Sequence, residues 1–277
     1  MRSLARRLIP VSMVRRVFGS WVGRFSWLRV DHDRPLRHPP RGRPRVLVVG
    51  VYLAEKRNLV SHLVARFAAS AHCEVTQRWV AIGPRSADAA VAAVTVEAVG
   101  APVPKFELIN RHLGPEDVAA FDYIMVCDDD VSVPRDFVDR FIGWQQRCGF
   151  ALAQPARTWN SFVDHRFVRQ SLLCRARETR FVEIGPVFCL ERSLARLALP
   201  FDMTSAMGYG YDLVWPVLAS QRGLTLGIVD DAAVEHAIRD QAAQYAKGPQ
   251  MQAMGKYLSS REHLSFREAF VVRRRYR

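Results

Sequence analysis

One stretch shows a buried strand that ends in three acids: Tyr123-Ile124-Met125-Val126-Cys127-Asp128-Asp129-Asp130. Its first part is apolar without alternation, which is typical of a strand that is buried on both faces of a sheet. An acidic triplet follows the strand directly. Because ligands of α/β sheets bind beyond the carboxyl ends of the strands, this triplet lies where a binding site is expected.

Strand-like and helix-like segments alternate on both sides of this stretch. The β-branched run from Arg45 to Tyr52 predicts another buried strand, and 58–69 carries apolar residues at helical spacing. Further strands are predicted at 74–82, 91–99, 150–154, 181–190 and 224–229, and further helices at 115–121, 134–148 and 211–222. This order predicts a single-domain α/β fold, an α/β/α sandwich around a mixed, mainly parallel sheet.

The charge of the chain is concentrated at its ends. Among 277 residues, 40 Lys and Arg stand against 27 Asp and Glu, which gives a formal net charge of +13. Residues 1–44 hold eleven Arg and two Asp, the last five residues hold four Arg, and the charges of 45–272 cancel. A neutral central region argues against a nucleic-acid partner.

Three regions follow from this division: 1–44, a basic amphipathic segment with a Pro-rich linker; 45–240, the α/β domain; and 241–277, a helical extension with a basic tail. Residues 1–30 contain no acid and place Trp and Phe on one face of a predicted helix. Such a helix is typical of an in-plane anchor on an anionic membrane surface. A helix docked on the domain and an Arg-rich targeting peptide are the alternatives.

The cysteine pattern bears on the compartment. The five cysteines show no Cys-x-x-Cys pair or zinc spacing, and an odd number cannot pair completely. We therefore expect reduced thiols in a cytoplasmic protein, with a peripheral position on the cytoplasmic face of a membrane if residues 1–30 act as an anchor. No run reaches the ~18 apolar residues that a membrane-spanning helix needs.

The acidic triplet is a candidate cation site. Adjacent carboxylates repel one another unless a cation neutralises them. The Asp-x-Asp spacing lets Asp128 and Asp130 approach one centre while Asp129 turns away. A divalent ion shared between carboxylates and diphosphate oxygens, Mn²⁺ or Mg²⁺, is the usual arrangement. A solvated acidic turn is the structural alternative.

Two more candidates follow other predicted elements. His236 comes after the last strand, and imidazole suits Mn²⁺, although a lone histidine is more often structural. Asp212 opens an apolar helix after a Gly-Tyr-Gly loop. It is either a helix cap or a general base that takes a proton from a hydroxyl, and spacing alone does not separate the two.

An ordered set of matches covers about 190 residues, from Val46 to His236. The matching stretches are Val48-Val49-Gly50-Val51, Lys56, Asn58, Pro104-Lys105, 113–133, Gln154-Pro155-Ala156, Val182-Glu183, Pro186-Val187-Phe188, Gly210-Tyr211-Asp212 and Gly227-Ile228-Val229-Asp230. Together they resemble a plant-type domain-of-unknown-function family with a GT-A (nucleotide-diphospho-sugar transferase) glycosyltransferase-like fold. Tyr209 and Phe181 depart from it, since the family usually has Trp at both places, and both departures concern the acceptor pocket.

This resemblance implies a metal-dependent glycosyltransferase that moves a sugar from a UDP- or GDP-sugar to an unidentified acceptor hydroxyl, with inversion. Asp212 would be the catalytic base, and Asp128, Asp130 and His236 would bind Mn²⁺ or Mg²⁺. The implied donor-binding residues are Val51, Tyr52, Lys56, Asn58, Lys105, Asp128 and Asp129. The metal would neutralise the diphosphate leaving group while the base deprotonates the acceptor.

Alternatives remain for parts of this pattern. A haloacid-dehalogenase-like phosphatase would use Asp128 as its nucleophile, but Lys247 and Lys256 are badly placed for it. A membrane-tethered, non-catalytic protein with the transferase fold is the second alternative. An arginine cluster between the two halves of the site either clamps an anion or forms a solvated face. Its members are Arg166, Arg169, Arg175, Arg177 and Arg180.

Overall fold

A computed structural model of the protein describes residues 35–239 and 247–277. The strands are β1 (Arg45–Leu53), β2 (Glu74–Ile82), β3 (Thr95–Val99), β4 (Tyr123–Asp128), β5 (Val131–Ser132), β6 (Phe150–Arg157), β7 (Ala176–Thr179), β8 (Val187–Glu191), β9 (Thr225–His236) and β10 (Val272–Tyr276). The α-helices are α1 (Val60–Ala68), α2 (Ala89–Val94), α3 (Lys105–Asn110), α4 (Pro115–Ala120), α5 (Phe137–Cys148), α6 (Arg192–Ala198), α7 (Tyr211–Ser220), α8 (Lys247–Ser259) and α9 (Phe266–Ala269). Short 3-10 turns lie at Arg166–Val168 and Met203–Ser205.

The strands form one mixed sheet in the order β10-β7-β9-β6-β8-β4-β1-β2-β3, and β5 pairs with the end of β9. On the main path β7 and β8 run antiparallel to their neighbours. The other described strands on this path share one direction. The sheet is therefore mostly parallel, as the sequence predicts.

Alternate residues of β1 are buried on opposite faces of this sheet. Val46 and Val48 pack in a cluster with α1 and α5. Leu47 and Val49 pack in a second cluster with α3, α6 and α7. Helices thus cover both faces, which confirms the predicted α/β/α sandwich and explains why the strand has no polar alternation.

Two predicted strands differ from the structure. The segment 91–99 begins as helix because the Asp88 side chain accepts hydrogen bonds from the amides of Ala90 (2.9 Å) and Val91 (3.4 Å) and so caps α2. In 181–190 only the part from Val187 onward is a strand. Pro186 precedes it, and proline has no amide hydrogen to donate to a neighbouring strand.

Both ends of the described chain pack on the domain. The His38 ring lies edge-on to Trp144 with centroids 4.6 Å apart, and a Cβ at Gly143 would lie 1.9 Å from the His38 carbonyl oxygen. Glycine at 143 therefore lets the predicted linker lie against α5. The C-terminal region contains α8 and α9 and supplies β10, which pairs with β7 in the same sheet.

The helix predicted within residues 1–30 lies outside the described residues, so the predicted membrane anchor stays a prediction. None of the described helices is long and apolar enough to cross a membrane. All five cysteines are free thiols.

Candidate functional site

The candidate site lies where β1, β4 and β9 end. In the parallel register Val51 of β1 is opposite Asp128 of β4. The short strand β5 then pairs antiparallel with β9 and sets Val131 opposite His236. The pairing of β5 with β9 therefore brings the acidic triplet to the predicted histidine, more than a hundred residues away in sequence.

Each carboxylate of the triplet has its own partner. Asp128 Oδ1 lies 2.5 Å from Lys105 Nζ. Asp129 accepts a hydrogen bond from the Leu53 amide at 2.7 Å. Asp130 Oδ2 lies 3.2 Å from His236 Nε2. The repulsion expected among the three acids is thus relieved within the chain.

Arg239 completes this arrangement. Its Nε lies 3.0 Å from Asp130 Oδ2, and its Nη2 donates to Asp129 Oδ1. The guanidinium thus bridges two acids of the triplet and carries the positive charge that the triplet was predicted to need. Sequence reasoning missed Arg239, although its place shortly after His236 at the end of β9 was an available signal.

The two bridged acids titrate differently. Burial raises the pKa of Asp129 to about 6, against the opposing effect of Arg239. Burial also acts to raise the pKa of Asp130, but hydrogen bonds and charge from His236 and Arg239 outweigh it and lower that pKa. Asp130 is therefore the member of the pair most firmly held as an anion.

The geometry fits a cation at Asp130 but does not show a complete metal centre. Within the described residues no group of three His, Cys, Asp or Glu side chains is placed to hold a metal ion. Two of the three predicted ligands, Asp130 and His236, do meet, and a carboxylate with an imidazole suits Mn²⁺. Asp128 faces Lys105 instead. The Arg239 guanidinium supplies a positive charge at the same Asp130 oxygen that His236 faces.

A buried arginine lies behind His236. Arg157 is fully buried, and its Nη1 lies 3.4 Å from His236 Nδ1 while its Nη2 donates to Glu183 Oε2 at 2.8 Å. Because arginine can only donate, Nδ1 of the imidazole accepts in this contact, so binding of a metal ion at Nε2 would require the proton of neutral His236 to move to Nδ1 and this contact to open. Arg157 thereby connects the acidic triplet with Glu183.

Asp212 and Glu183 form a second acidic region. Burial, followed by repulsion from Glu183, raises the pKa of Asp212 to about 7, and burial also raises the pKa of Glu183 to about 7. Asp212 Oδ1 and Glu183 Oε1 are both buried without a hydrogen-bond partner in the described part of the chain. A carboxylate with a near-neutral pKa and an unused oxygen is suited to take a proton from a hydroxyl.

Backbone geometry presents Asp212 in this position. Gly210, directly before α7, has φ of 93° and is thus in the left-handed region that favours glycine. Asp212 follows in the first turn of the helix, where a carboxylate interacts favourably with the helix dipole. The Gly-Tyr-Gly loop therefore sets the direction from which α7 starts.

The remaining predicted donor residues fall into two groups. Tyr52 is buried in the core, and its hydroxyl lies 3.1 Å from Thr95 Oγ1, so its side chain is not free to border a nucleotide. Asn58 donates to the Leu53 and Lys56 carbonyls and holds the turn whose Leu53 amide binds Asp129. Lys56 is exposed on this turn, while Val51 is partly buried at the strand end.

Two members of the arginine cluster are used in internal ion pairs. Arg177 makes two hydrogen bonds to Asp230, at 2.9 and 3.0 Å, and Arg175 pairs with Asp231 at 2.9 Å. These two side chains therefore neutralise acids of β9 and are not available as a diphosphate clamp.

Comparisons with known proteins bear on the fold. No protein-family model matches the chain, and no curated protein sequence matches it. Among solved structures, GalNAc-T7 with UDP, GalNAc and Mn²⁺ matches with a TM-score of 0.55 and 10% identity over 90% of this chain. The mannosyltransferase PcManGT from Pyrobaculum calidifontis, in complex with GDP-Man and Mn²⁺, matches with a TM-score of 0.49 and 13% identity over 83% of this chain. The S. aureus protein TarS in complex with UDP-GlcNAc has a TM-score of 0.44 and 13% identity over 76% of this chain.

The match to GalNAc-T7, at 10% identity, shows the fold alone. The chain has the GT-A glycosyltransferase fold, a single α/β domain with a mixed, mostly parallel sheet, as the resemblance implies. It spans 55% of the length of GalNAc-T7 and 66% of that of the mannosyltransferase. The plant-type family of the resemblance has no support from a matching family model.

Proposed function

We propose that the protein is a glycosyltransferase that moves a sugar from a UDP- or GDP-sugar to an acceptor hydroxyl. The observation that carries this proposal is the meeting of Asp130, His236 and Arg239 at the carboxyl end of the sheet. This cluster is joined through Arg157 to Glu183, whose charge acts on Asp212. In this proposal the cluster binds the charged leaving group, and Asp212 serves as the base.

The donor end of the site is proposed at the acidic triplet. Mn²⁺ or Mg²⁺ held by Asp130 and His236 would supply positive charge to stabilise a departing diphosphate. Lys105 and Arg239 are the chain's own cations beside the triplet. An incoming diphosphate would offer both a stronger partner than a single carboxylate. Asp128, which holds Lys105 in place, would then act at the donor rather than at the metal.

Asp212 is proposed as the catalytic base. Its buried Oδ1 would accept the proton of the acceptor hydroxyl while the acceptor oxygen bonds to the sugar carbon and the bond from that carbon to the diphosphate breaks. Burial and the neighbouring Glu183 hold the pKa of Asp212 near neutrality, where a carboxylate is a more effective base than at its ordinary pKa. Attack from the face opposite the diphosphate would invert the sugar carbon.

The test is donor cleavage by the full chain. A panel of UDP- and GDP-sugars is incubated with the protein with and without Mn²⁺, and release of the nucleoside diphosphate is followed. The proposal predicts release from one class of donor, stimulated by the ion and abolished by Asp130→Asn, while Asp122→Asn at the opposite end of β4 behaves as wild type. Release from no donor, together with no nucleotide binding, would contradict it.

A further inference from the structure

An exposed pair of leucines lies far from the acidic triplet in sequence. Leu172 and Leu173 are 50% and 81% exposed. The chain is fixed on both sides of them, because the Ser171 amide donates to Asp230 Oδ1 at 2.7 Å and the Arg175 amide donates to the Tyr276 carbonyl at 2.7 Å. The pair is therefore held out from the domain by a short anchored loop.

The strand beside this loop is strongly basic. β10 is an edge strand of the sheet, and Tyr276 pairs with Ala176 in the antiparallel register. The exposed arginines on and just beyond this strand are Arg273, Arg274, Arg275 and Arg277. In this register Arg277 and Arg275 lie nearest the leucines, whereas Arg274 and Arg273 lie further along the strand, beside Glu178 and Thr179. We call Leu172, Leu173 and these four arginines the basic edge.

The start of the described chain reaches the same part of the molecule. The Pro35 carbonyl accepts a hydrogen bond from Arg140 Nη1 at 3.4 Å, and the same nitrogen lies 2.9 Å from Asp231 Oδ2. Asp231 Oδ1 in turn pairs with Arg175 at 2.9 Å. Pro35, the first described residue, is therefore connected through Arg140 and Asp231 to Arg175, whose amide binds Tyr276 of β10.

We propose that the basic edge docks on an anionic membrane surface, with the two leucines entering the headgroup region and the arginines contacting lipid phosphates. The combination favours a membrane because juxtaposed arginines are attracted to anionic lipids and exposed leucines gain from burial in the interface. A nucleic acid would use the arginines but leave the leucines in water. This contact is independent of the proposed catalysis and adds a structured surface to the anchor predicted in residues 1–30.

Vesicle flotation of the full chain tests this proposal. Wild type is compared with Leu172→Ser/Leu173→Ser, with Arg273→Ser/Arg274→Ser/Arg275→Ser, and with Val96→Ser, which removes a 39% exposed apolar residue from β3 at the opposite edge of the sheet. Vesicles contain phosphatidylcholine alone or mixed with phosphatidylserine. All these side chains are exposed, so the variants are expected to fold.

The expected results differ between the variants. The leucine variant should partition roughly tenfold less onto mixed vesicles, because two apolar side chains no longer enter the interface. The arginine variant should lose on the order of 100-fold on mixed vesicles and be unchanged on neutral ones. Val96→Ser should match wild type. Leucine and arginine variants that float like wild type would overturn the proposal.

A reporter at the loop identifies what covers the leucines. On mixed vesicles, the fluorescence that the Leu173→Trp variant adds to that of wild type should shift to the blue and be quenched by brominated lipid. Without vesicles, acrylamide should quench this added fluorescence fully. Val96→Trp should show neither change. Protection from acrylamide without vesicles would mean that another part of the chain or a second copy covers the loop, and would overturn the proposal. The proposal would also be overturned if the arginine variant lost binding to nucleic acid while it still floated with vesicles like wild type.

Discussion

The acidic triplet and the basic edge are both dense in one sign of charge, yet the fold treats them differently. Asp129 and Asp130 are buried; Arg239 forms ion pairs with both, and His236 lies at hydrogen-bond distance from Asp130. The arginines of β10 are exposed. Burying a charge is costly unless it is paired, whereas an exposed charge is already solvated. A ligand of the acidic triplet must therefore displace the internal partner of a buried carboxylate. A ligand of the basic edge can bind the exposed arginines without displacing an internal partner.

The largest effect on kcat is expected at Asp212, whose buried Oδ1 has no hydrogen-bond partner among the described residues. Asp212→Asn removes the proposed base but keeps its shape, so kcat should fall about 10²- to 10⁴-fold, the range typical of general base catalysis. Binding of the nucleoside diphosphate, measured by calorimetry, should stay within about twofold because the base does not contact it. Equal losses in binding and turnover would place Asp212 in the donor site.

Substitution of a buried arginine should cost more free energy of unfolding than substitution of an exposed arginine. Arg157→Met leaves Glu183 buried without its cation and should lower the free energy of unfolding by about 3–5 kcal/mol. Arg273→Met, its matched control at the basic edge, should change it by less than about 0.5 kcal/mol. Urea unfolding measures both.

The double variant Arg157→Met/Glu183→Gln is the internal check on this interpretation. It removes both buried charges and should recover a large part of the loss caused by Arg157→Met alone. If the double variant is as unstable as the sum of the single variants, the lost stability comes from packing around the arginine and not from its charge.

Much of the fold was predictable because its signals are local. The apolar runs of β1, β2 and β4 and the helical periodicity of α1, α5 and α7 are each contained in about ten residues. β7 could not be found in this way, since it carries Arg177 and Glu178, and the burial of that arginine depends on Asp230, more than fifty residues later. β10 likewise appears from sequence as a basic tail.

The candidate site was predictable only in part, for the same reason. A residue that follows a strand can be assigned to the sheet edge, and Asp130 and His236 do meet there. Their neighbours are set by tertiary structure: Arg239 reaches Asp129 over 110 residues, and Lys105 turns Asp128 away from His236. The Tyr52 side chain lies in the core because of its place in the strand pleat, which its position at the strand end does not reveal.

A smaller effect is expected at Arg239, where substitution tests whether the guanidinium competes with Mn²⁺ for the acidic triplet. Arg239→Gln removes the internal cation from Asp129 and Asp130, so the affinity for Mn²⁺ without nucleotide should rise about tenfold, equivalent to about 1.4 kcal/mol. The melting temperature without Mn²⁺ should fall, because two buried carboxylates lose a partner. Arg273→Gln, at an exposed arginine of the basic edge, is the control. Weaker Mn²⁺ binding would show that Arg239 supports the ion and does not compete with it.

The smallest expected effect is in pH dependence. The proposed base must be deprotonated, so kcat/KM should rise through an apparent pKa of about 7, a value that belongs to the coupled Asp212 and Glu183 pair. Glu183→Gln removes the repulsive charge and should shift this inflection to lower pH. An unchanged inflection would show that the two carboxyl groups do not interact.

The raised pKa of Asp212 should also make the stability of the protein depend on pH. The folded-state pKa of Asp212 is above its ordinary value of 3.8, so the native state holds a proton that the unfolded state releases between about pH 4 and pH 7. Stability should therefore fall as pH rises through this window. Asp212→Asn should remove the fall, and its melting temperature should exceed that of wild type more at pH 8 than at pH 5.

The central claim is that the acidic strand end binds a nucleoside diphosphate together with a divalent ion. Calorimetry with UDP and GDP in the presence of Mn²⁺ tests it directly, on wild type, Asp130→Asn and the control Asp122→Asn at the opposite end of β4. We expect Mn²⁺-dependent binding of one of the two nucleotides to wild type and to the control, and at least about tenfold weaker binding to Asp130→Asn, which loses a charged partner of the ion. Equal binding by Asp130→Asn and wild type, or binding that is indifferent to Mn²⁺, would contradict it.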